Sequence, residues 1–336
     1  MKWRLIASVV AVILSACGSS PSSPSTTGPK VRWDMLLNVP LTHPLTKYFQ
    51  AFANEVSANT NGQITITLRP PGELPYQQSE YATVVGSGSV ALADASAAFI
   101  VNSKIAAIPG IPFLVDTPDE YAKVRPILRP YLDQDLAKLG DHLLFDYTFP
   151  VQTVWGDGTP VKTLADLKGR KMRASTTEQA VFLQKVGAQP VALQTAEVPQ
   201  ALQLGTVSGV LTAGYIAAGG ALGSFKWGYL LPVNMAPGYI VVNQDQYNSL
   251  SSSEKAGLEK ASTDIQAKML KSLVVSDEKS AETQLANGGV VITTPQQSDI
   301  QAATNLMKPY WTQWGDQAGG DAGSVIKQIE QALGKS

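Results

Sequence analysis

Arg173 is the residue whose type and surroundings most invite chemistry. It ends the run Val161-Lys162-Thr163-Leu164-Ala165-Asp166-Leu167-Lys168-Gly169-Arg170-Lys171-Met172-Arg173 and sits among Met172, Ala174, Ser175 and Thr176, outside any solvated charge cluster. A guanidinium in such company needs an acceptor, because burying it without one is costly. Its planar fork of five donors matches a carboxylate bidentately. Arg173 is therefore a candidate clamp for an acidic ligand; the alternative is an ion pair between two parts of the fold.

Other reactive residue types give little. His43 and His142 are the only histidines, and no H-x-x-x-H or Cys/His cluster exists, so a transition-metal site has little support in the sequence. Gly86-Ser87-Gly88-Ser89-Val90-Ala91 imitates a dinucleotide loop, but it follows a helical pattern and precedes a strand, the reverse of the required order. Ser252-Ser253-Glu254-Lys255 matches S-x-x-K without a later K-T-G, and helix capping accounts for the serines. There is no G-x-S-x-G elbow, and Glu197 with Asp166 cannot be joined as an acid pair without geometry. No catalytic residue, metal ligand or cofactor is assigned.

The N-terminus points to a location. Lys2 and Arg4 form a positive region, and Leu5–Leu14 is an apolar segment too short to span a bilayer stably. Leu14-Ser15-Ala16-Cys17 follows and resembles a bacterial lipoprotein signal, cleaved before Cys17 with that cysteine then acylated; an ordinary secretory signal with a chance cysteine is the alternative. Cys17 is the only cysteine, so no disulfide forms within the chain and a thioether lipid anchor suits it better than a free thiol. Residues 1–16 are read as the signal. Residues 17–30, the lipidated cysteine and a Ser/Pro/Thr/Gly-rich tether, hold the body off the membrane.

The body from about Val31 is long enough for two lobes. The 336-residue chain balances 26 basic against 27 acidic residues, which argues against a nucleic-acid partner. A charged fraction of 16% beside 44% hydrophobic residues reads as a well-packed domain, and a monomer is expected.

The elements that must position Arg173 alternate. Strands are predicted at Arg32–Asn38, Gln63–Arg69, Val90–Ala95, His142–Thr148, Thr153–Gly156, Lys171–Ala174, Pro190–Leu193, Val207–Thr212 and Tyr239–Asn243. Helices are predicted at Pro44–Ser57, Gln77–Gly86, Thr117–Leu139, Leu164–Leu167 (a short one), Glu178–Val186 and Val198–Leu204. Pro126 and Pro130 should break or kink the Thr117–Leu139 helix. This alternation means an α/β fold with mainly parallel sheets. Ser251–Asn287 is a long Pro-free stretch that opens on a capping box, Ser251 with Glu254, and ends at Asn287-Gly288-Gly289. As one helix it would span about 50 Å; two helices broken near Val274–Ser276 are the alternative.

Three segments carry a family resemblance: Leu164–Arg173, Glu197-Val198-Pro199-Gln200-Ala201-Leu202-Gln203-Leu204-Gly205-Thr206-Val207-Ser208-Gly209, and Asn59–Leu74. Together, in order and at matching spacing, they resemble the solute-binding receptors of TRAP (tripartite ATP-independent periplasmic) transporters, over about Trp33 to Leu285. The resemblance implies a two-lobed periplasmic binding protein-like α/β fold, with a long helix bridging both lobes and a ligand cleft between them. It implies lobe I over 31–150 plus 238–277 and lobe II over 151–237 plus 278–336. It also implies a small organic acid as ligand and the membrane permease subunits of a TRAP transporter as partners. In that family the arginine at the position of Arg173 usually pairs with the substrate carboxylate.

Ligands of such sheets sit beyond the carboxyl ends of strands. The candidate contacts are therefore Asn38, Ser96, Thr153, Trp155, Arg173, Thr212 and Tyr215. Asn38 matches a family position that often touches ligand, Ser96 one where some relatives carry an acid or amide, and Thr212 one where asparagine is common; loop capping is the alternative for each. Thr42 and His43 share the loop after the first strand, and His43 reads as a loop residue. Thr153 and Trp155 alternate on one strand and so share a face, and Arg173 and Ser175 follow the same parity. The family's second arginine near Thr153 is missing, and its acidic-Gly-Gln-Glu-Asn run is replaced by Ser208-Gly209-Val210-Leu211-Thr212. The expected ligand has one carboxylate and a more apolar body on which Trp155 stacks, unless Trp155 packs in the core. Trp227 reads as core or hinge.

The resulting function is that of a receptor in the periplasm or on the extracytoplasmic face, held by lipid at Cys17, that captures an organic acid and passes it to a permease. Two alternatives are a ligand-sensing subunit and a hydrolase of small carboxylic esters.

Overall fold

The computed structural model describes residues 31–96, 103–193, 197–220 and 224–335. The expected signal, Cys17 and the expected tether lie outside them. The first part of the chain folds as β1 (Val31–Leu36), α1 (Thr46–Asn59), β2 (Ile64–Arg69), α2 (Tyr81–Gly86), β3 (Leu92–Ser96) and α3 (Pro118–Leu139). Then come β4 (Asp141–Gly156), β5 (Lys171–Ala174), α4 (Thr177–Lys185), β6 (Gln189–Ala192), α5 (Val198–Gln203), β7 (Gly209–Thr212), α6 (Gly214–Ala218) and β8 (Trp227–Asn243). The chain ends with α7 (Gln244–Ser249), α8 (Ser252–Lys268), α9 (Glu278–Asn287), β9 (Val291–Thr293), α10 (Gln297–Ala318) and α11 (Ala322–Leu333).

A nine-stranded sheet runs β2-β1-β3-β8-β4-β7-β5-β6, with β9 beside β8. β1, β2 and β3 are mutually parallel, as are β5, β6 and β7. Three antiparallel pairings, β3 with β8, β8 with β4 and β4 with β7, turn the second set against the first. The carboxyl end of β3, Ser96, is level with Gly238 and Tyr147, while that of β7, Thr212, is level with Thr153. The carboxyl ends of the two parallel sets therefore face each other across the middle of β4. The β4–β8 register slips there, between Phe149 and Gln152 and again between Gln152 and Val154.

Alternate residues of β1 feed opposite faces. Trp33, Met35 and Leu37 pack with Phe49 and Phe52 of α1 and Leu258 and Ile265 of α8. Leu36 joins the other face with Tyr81, Val85, Leu128 and, further along the sheet, Met172, Phe182 and Trp311.

Several expectations change. β4 is one strand where two were predicted, and β8 begins at Trp227, twelve residues before the predicted Tyr239. Pro232 and Pro237 hid it, because proline supplies no ladder donor. α3 runs through Pro126 and Pro130. Both prolines are exposed, as is Ala122, one turn before Pro126. The carbonyls that lose a partner thus face water, while Tyr121, Val124, Leu128, Leu132 and Leu136 hold the inner face.

The long helix is continuous from Ser252 to Asn287, with wider π-type turns over Met269–Asp277. Its buried positions Ile265, Met269, the pair Leu273 and Val274, and Glu278 lie four or five residues apart from turn to turn, more than the 3.6 of an α-helix, and wider turns keep them facing inward. α8 packs on α1, the π-type segment crosses β4, and α9 packs on α6, so the helix bridges both halves. Among the described residues no helix is long and apolar enough to cross a membrane.

Candidate functional site

The register assembles part of the expected site. Arg173 pairs with Val210, Trp155 with Val210, and Thr153 with Thr212. Arg173, Thr153, Trp155 and Thr212 therefore share one face of the sheet, with Arg173 and Thr212 at strand ends. Thr153 Oγ1 donates to the Thr212 carbonyl at 3.3 Å and accepts the Trp155 indole N–H at 2.8 Å.

Arg173 is only 7% exposed. Its Nε donates to the Leu193 carbonyl at 3.2 Å, which orients the guanidinium plane. Burial pulls its pKa below the usual arginine value, a direction that makes a nearby anion more favourable. Trp155 is fully buried and packs with Val198, Val210, Ala217 and Phe225. A Cβ on Gly228 would meet its ring at 2.5 Å. In this conformation the indole is a core residue, and its one polar atom is spent on Thr153.

A second polar group lies by the end of β5. Ser175 donates from N and Oγ to Gln179 Oε1 at 3.0 and 2.9 Å, and Gln179 Nε2 donates to Asn234 Oδ1 at 3.1 Å. Asn234 is opposite Gln152 in the β4–β8 ladder. Gln152, Gln179 and Asn234 are buried. The sequence reading missed all three: Asn234 lies in the unrecognised part of β8, Gln152 in the gap left between two predicted strands, and Gln179 on a helix.

Asn38 and Ser96 follow or end neighbouring parallel strands, β1 and β3, on the other half of the sheet. The half-buried Asn38 accepts from Gln78 Nε2 at 2.6 Å through its carbonyl. Beside it Asp94 is fully buried and accepts from Tyr147 Oη at 2.9 Å. Burial pushes the Asp94 carboxyl up to about 7, with the Tyr147 hydroxyl and the Asn38 N–H opposing. His43 accepts from the Leu45 N–H through Nδ1 at 3.1 Å and meets Phe149 edge-on at 6.4 Å. Burial lowers its pKa to about 4, so it is neutral at pH 7.

Tyr215, half-buried, stands where the halves meet, with Lys47 Nζ 5.7 Å from its ring centroid. Trp227 is buried, donates to the Asp157 carbonyl at 3.0 Å and carries Arg170 over its ring. Among the described residues no group of three or more His, Cys, Asp or Glu could hold a metal ion.

Residues 37–317 match the family described as bacterial extracellular solute-binding protein, family 7. A solute-binding protein of Sulfitobacter sp. (strain NAS-14.1) is 33% identical over 175 residues, 50% of this chain and 52% of its own; the chain thus spans about half the length of the curated relatives it matches. Among solved structures, DctP6 of Bordetella pertussis, an extracytoplasmic solute receptor binding pyroglutamic acid, aligns at a TM-score of 0.79 with 24% identity, over 89% of this chain and 99% of that one. A TRAP periplasmic solute-binding protein of Roseobacter denitrificans with bound β-D-glucuronate aligns at 0.76 with 21% identity, over 89% and 99%. The fold is thus the two-lobed one of those receptors, and the chain belongs to the bacterial extracellular solute-binding proteins of family 7.

Proposed function

We propose that this protein is the extracytoplasmic receptor of a TRAP transporter and that it captures an organic acid by closing two lobes on it. The observation that carries this reading is Arg173, a guanidinium buried at the carboxyl end of β5 on the same face as Thr153 and Thr212. Arg173 would take the ligand carboxylate in a two-pronged bond, with Thr153, Thr212 and Tyr215 around it and Asn38 and Ser96 approaching from the other lobe. The lobes divide as 31–150 plus 238–277 and 151–237 plus 278–336, so that β4, β8 and the bridging helix cross between them. The loaded protein then meets its permease subunits. Lipid on Cys17 would keep it at the membrane, where several acyl chains anchor stably. The buried Trp155 favours a core role, leaving His43 and Phe149 as aromatic groups for an apolar ligand body.

The relatives above hold pyroglutamate and glucuronate, and these acids with their amides are the first probes. Calorimetry with wild type and Arg173→Ala tests the clamp. Arg173→Ala should weaken acid binding by at least about 2–3 kcal/mol, roughly 30- to 150-fold, and Arg173→Lys should recover only part of it. The amides should bind wild type poorly and lose little further in Arg173→Ala. Equal affinity of Arg173→Ala and wild type for the acids would remove the clamp.

A further inference from the structure

The bridging helix carries two adjacent carboxylates that reach opposite halves of the molecule. Asp277 Oδ2 accepts from Lys47 Nζ and Tyr48 Oη of α1, both at 2.8 Å. Glu278 Oε1 accepts from the Gly214 N–H at 2.6 Å, and its Oε2 from the Tyr215 N–H at 2.7 Å. Neighbouring residues on a helix point about 100° apart, which is how one reaches α1 and the next the start of α6. Glu278 is only 8% exposed. Its approach depends on a glycine: a Cβ on Gly214 would lie 2.8 Å from Glu278 Oε1 and 3.0 Å from the Trp155 ring.

We propose that Glu278 is a positioning residue: it fixes the Ala213–Tyr215 turn, and with it Thr212 and Tyr215, to the bridging helix, while Asp277 fastens the same point of the helix to α1. The functional weight of that turn rests on the reading of Thr212 and Tyr215 as ligand contacts. The geometry itself does not.

The pair also has a pH sense. Burial raises the Glu278 carboxyl from 4.5 to about 7; the Tyr215 and Gly214 N–H groups oppose this, and the charge of Glu282 adds to it. The other charged and titratable groups at this junction are Lys279, which acts on Glu282, Tyr215 on α6, and Lys47 and Tyr48 on α1 through Asp277. A carboxyl with a raised folded-state pKa contributes stability that is complete below its unfolded value and lost as pH rises through the folded one. Opening the turn returns Glu278 to water, so the closed turn loses stability as pH rises from 4.5 to about 7, although its two N–H bonds by themselves favour the ionised form.

Amide hydrogen exchange on the ligand-free protein tests this. In wild type, protection of the Gly214 and Tyr215 amides, corrected for intrinsic rates, should fall about ten-fold or more between pH 5.5 and 8, relative to β2 amides. Glu278→Gln, neutral throughout, should flatten that profile. Glu278→Ala should speed both amides at least ten-fold over β2, and Asp277→Asn should leave the profile in place. A wild-type profile as flat as that of Glu278→Gln, an equal effect of Glu278→Ala on β2, or loss of the profile in Asp277→Asn would each overturn the assignment. Should Glu278→Ala not fold, the wild-type series and Glu278→Gln decide. No ligand enters the measurement, so an Arg173→Ala protein that binds acids normally would sink the carboxylate reading and leave this one standing.

Discussion

Burial acts on Arg173 and Asp141 in opposite chemical senses. On Arg173, 7% exposed, it disfavours the cation and lowers the pKa. It makes Asp141, 1% exposed at the start of β4, resist ionisation, and its pKa rises to about 8. Neither Asp141 oxygen has a hydrogen-bond partner among the described residues. In the unfolded chain an aspartate titrates near 3.9, so between there and about 8 the native state holds a proton that the unfolded state gives up. Stability therefore falls as pH rises across that window. Asp141→Asn should remove the decline and be more stable than wild type by about 1–3 kcal/mol at pH 9. Denaturant melts of both proteins from pH 5 to 9 check this; parallel curves would mean that Asp141 is ionised and solvated in the native state. Sequence pattern placed Arg173, Thr153 and Thr212 on strands, because strand positions follow from local alternation, and the register puts them on one face. Gln179 and Asn234 were beyond it, since their partnership depends on β8 lying beside β4, a pairing of distant segments.

At the scale of elements, local signals placed what local forces decide. The Lys171–Ala174 strand and the short Leu164–Leu167 helix appear with the bounds expected. The capping box at Ser251 forms as well, with Ser251 N donating to Glu254 Oε2 at 2.8 Å and Ser251 Oγ accepting from Glu254 N at 3.3 Å. The π-type segment was not legible, because buried steps of four and five look like ordinary helix in a sequence, and the choice of wider turns belongs to packing against β4. α10 and α11 went unread, although Gly319 and Gly334 cap them. Their closing contact is tertiary: Lys335, just after α11, donates to the Phe113 and Leu114 carbonyls at 3.1 and 3.2 Å and lies 2.8 Å from Glu120 Oε2 and 3.4 Å from Asp116 Oδ1. That side chain is 15% exposed. Lys335→Ala would leave two carbonyls and two carboxylates without their shared donor. It should cost about 2–4 kcal/mol, read as a lowered denaturation midpoint with unchanged slope. A midpoint within error of wild type would show that water replaces the ammonium without loss.

At the scale of the whole molecule, the topology concentrates irregular geometry in one place. Two parallel sets of strands point their carboxyl ends at each other, and both the β4–β8 ladder and the bridging helix change geometry near that level: the ladder through register slips at Phe149–Val154, the helix through π-type turns at Met269–Asp277. Irregular pairing gives up ladder bonds, so bending there disturbs less than bending a regular sheet. Contacts from both halves converge beside it, through Lys47, Tyr48, Asp277 and Tyr215. A ligand that touches Arg173 on one side and Asn38 on the other gains its full set of contacts only when the halves are close, so it shifts the population toward the closed form. A compact body of about 300 residues has a radius of gyration of about 19 Å, and an open cleft exceeds it. Small-angle scattering of wild type should therefore show a smaller radius with saturating acid than without. Arg173→Ala at the same acid concentration should keep the larger radius, because the contact that rewards closure is gone. If wild type binds acid by calorimetry and its scattering curve does not change, the irregular middle of β4 is not a working hinge, and capture proceeds on a cleft that is already closed.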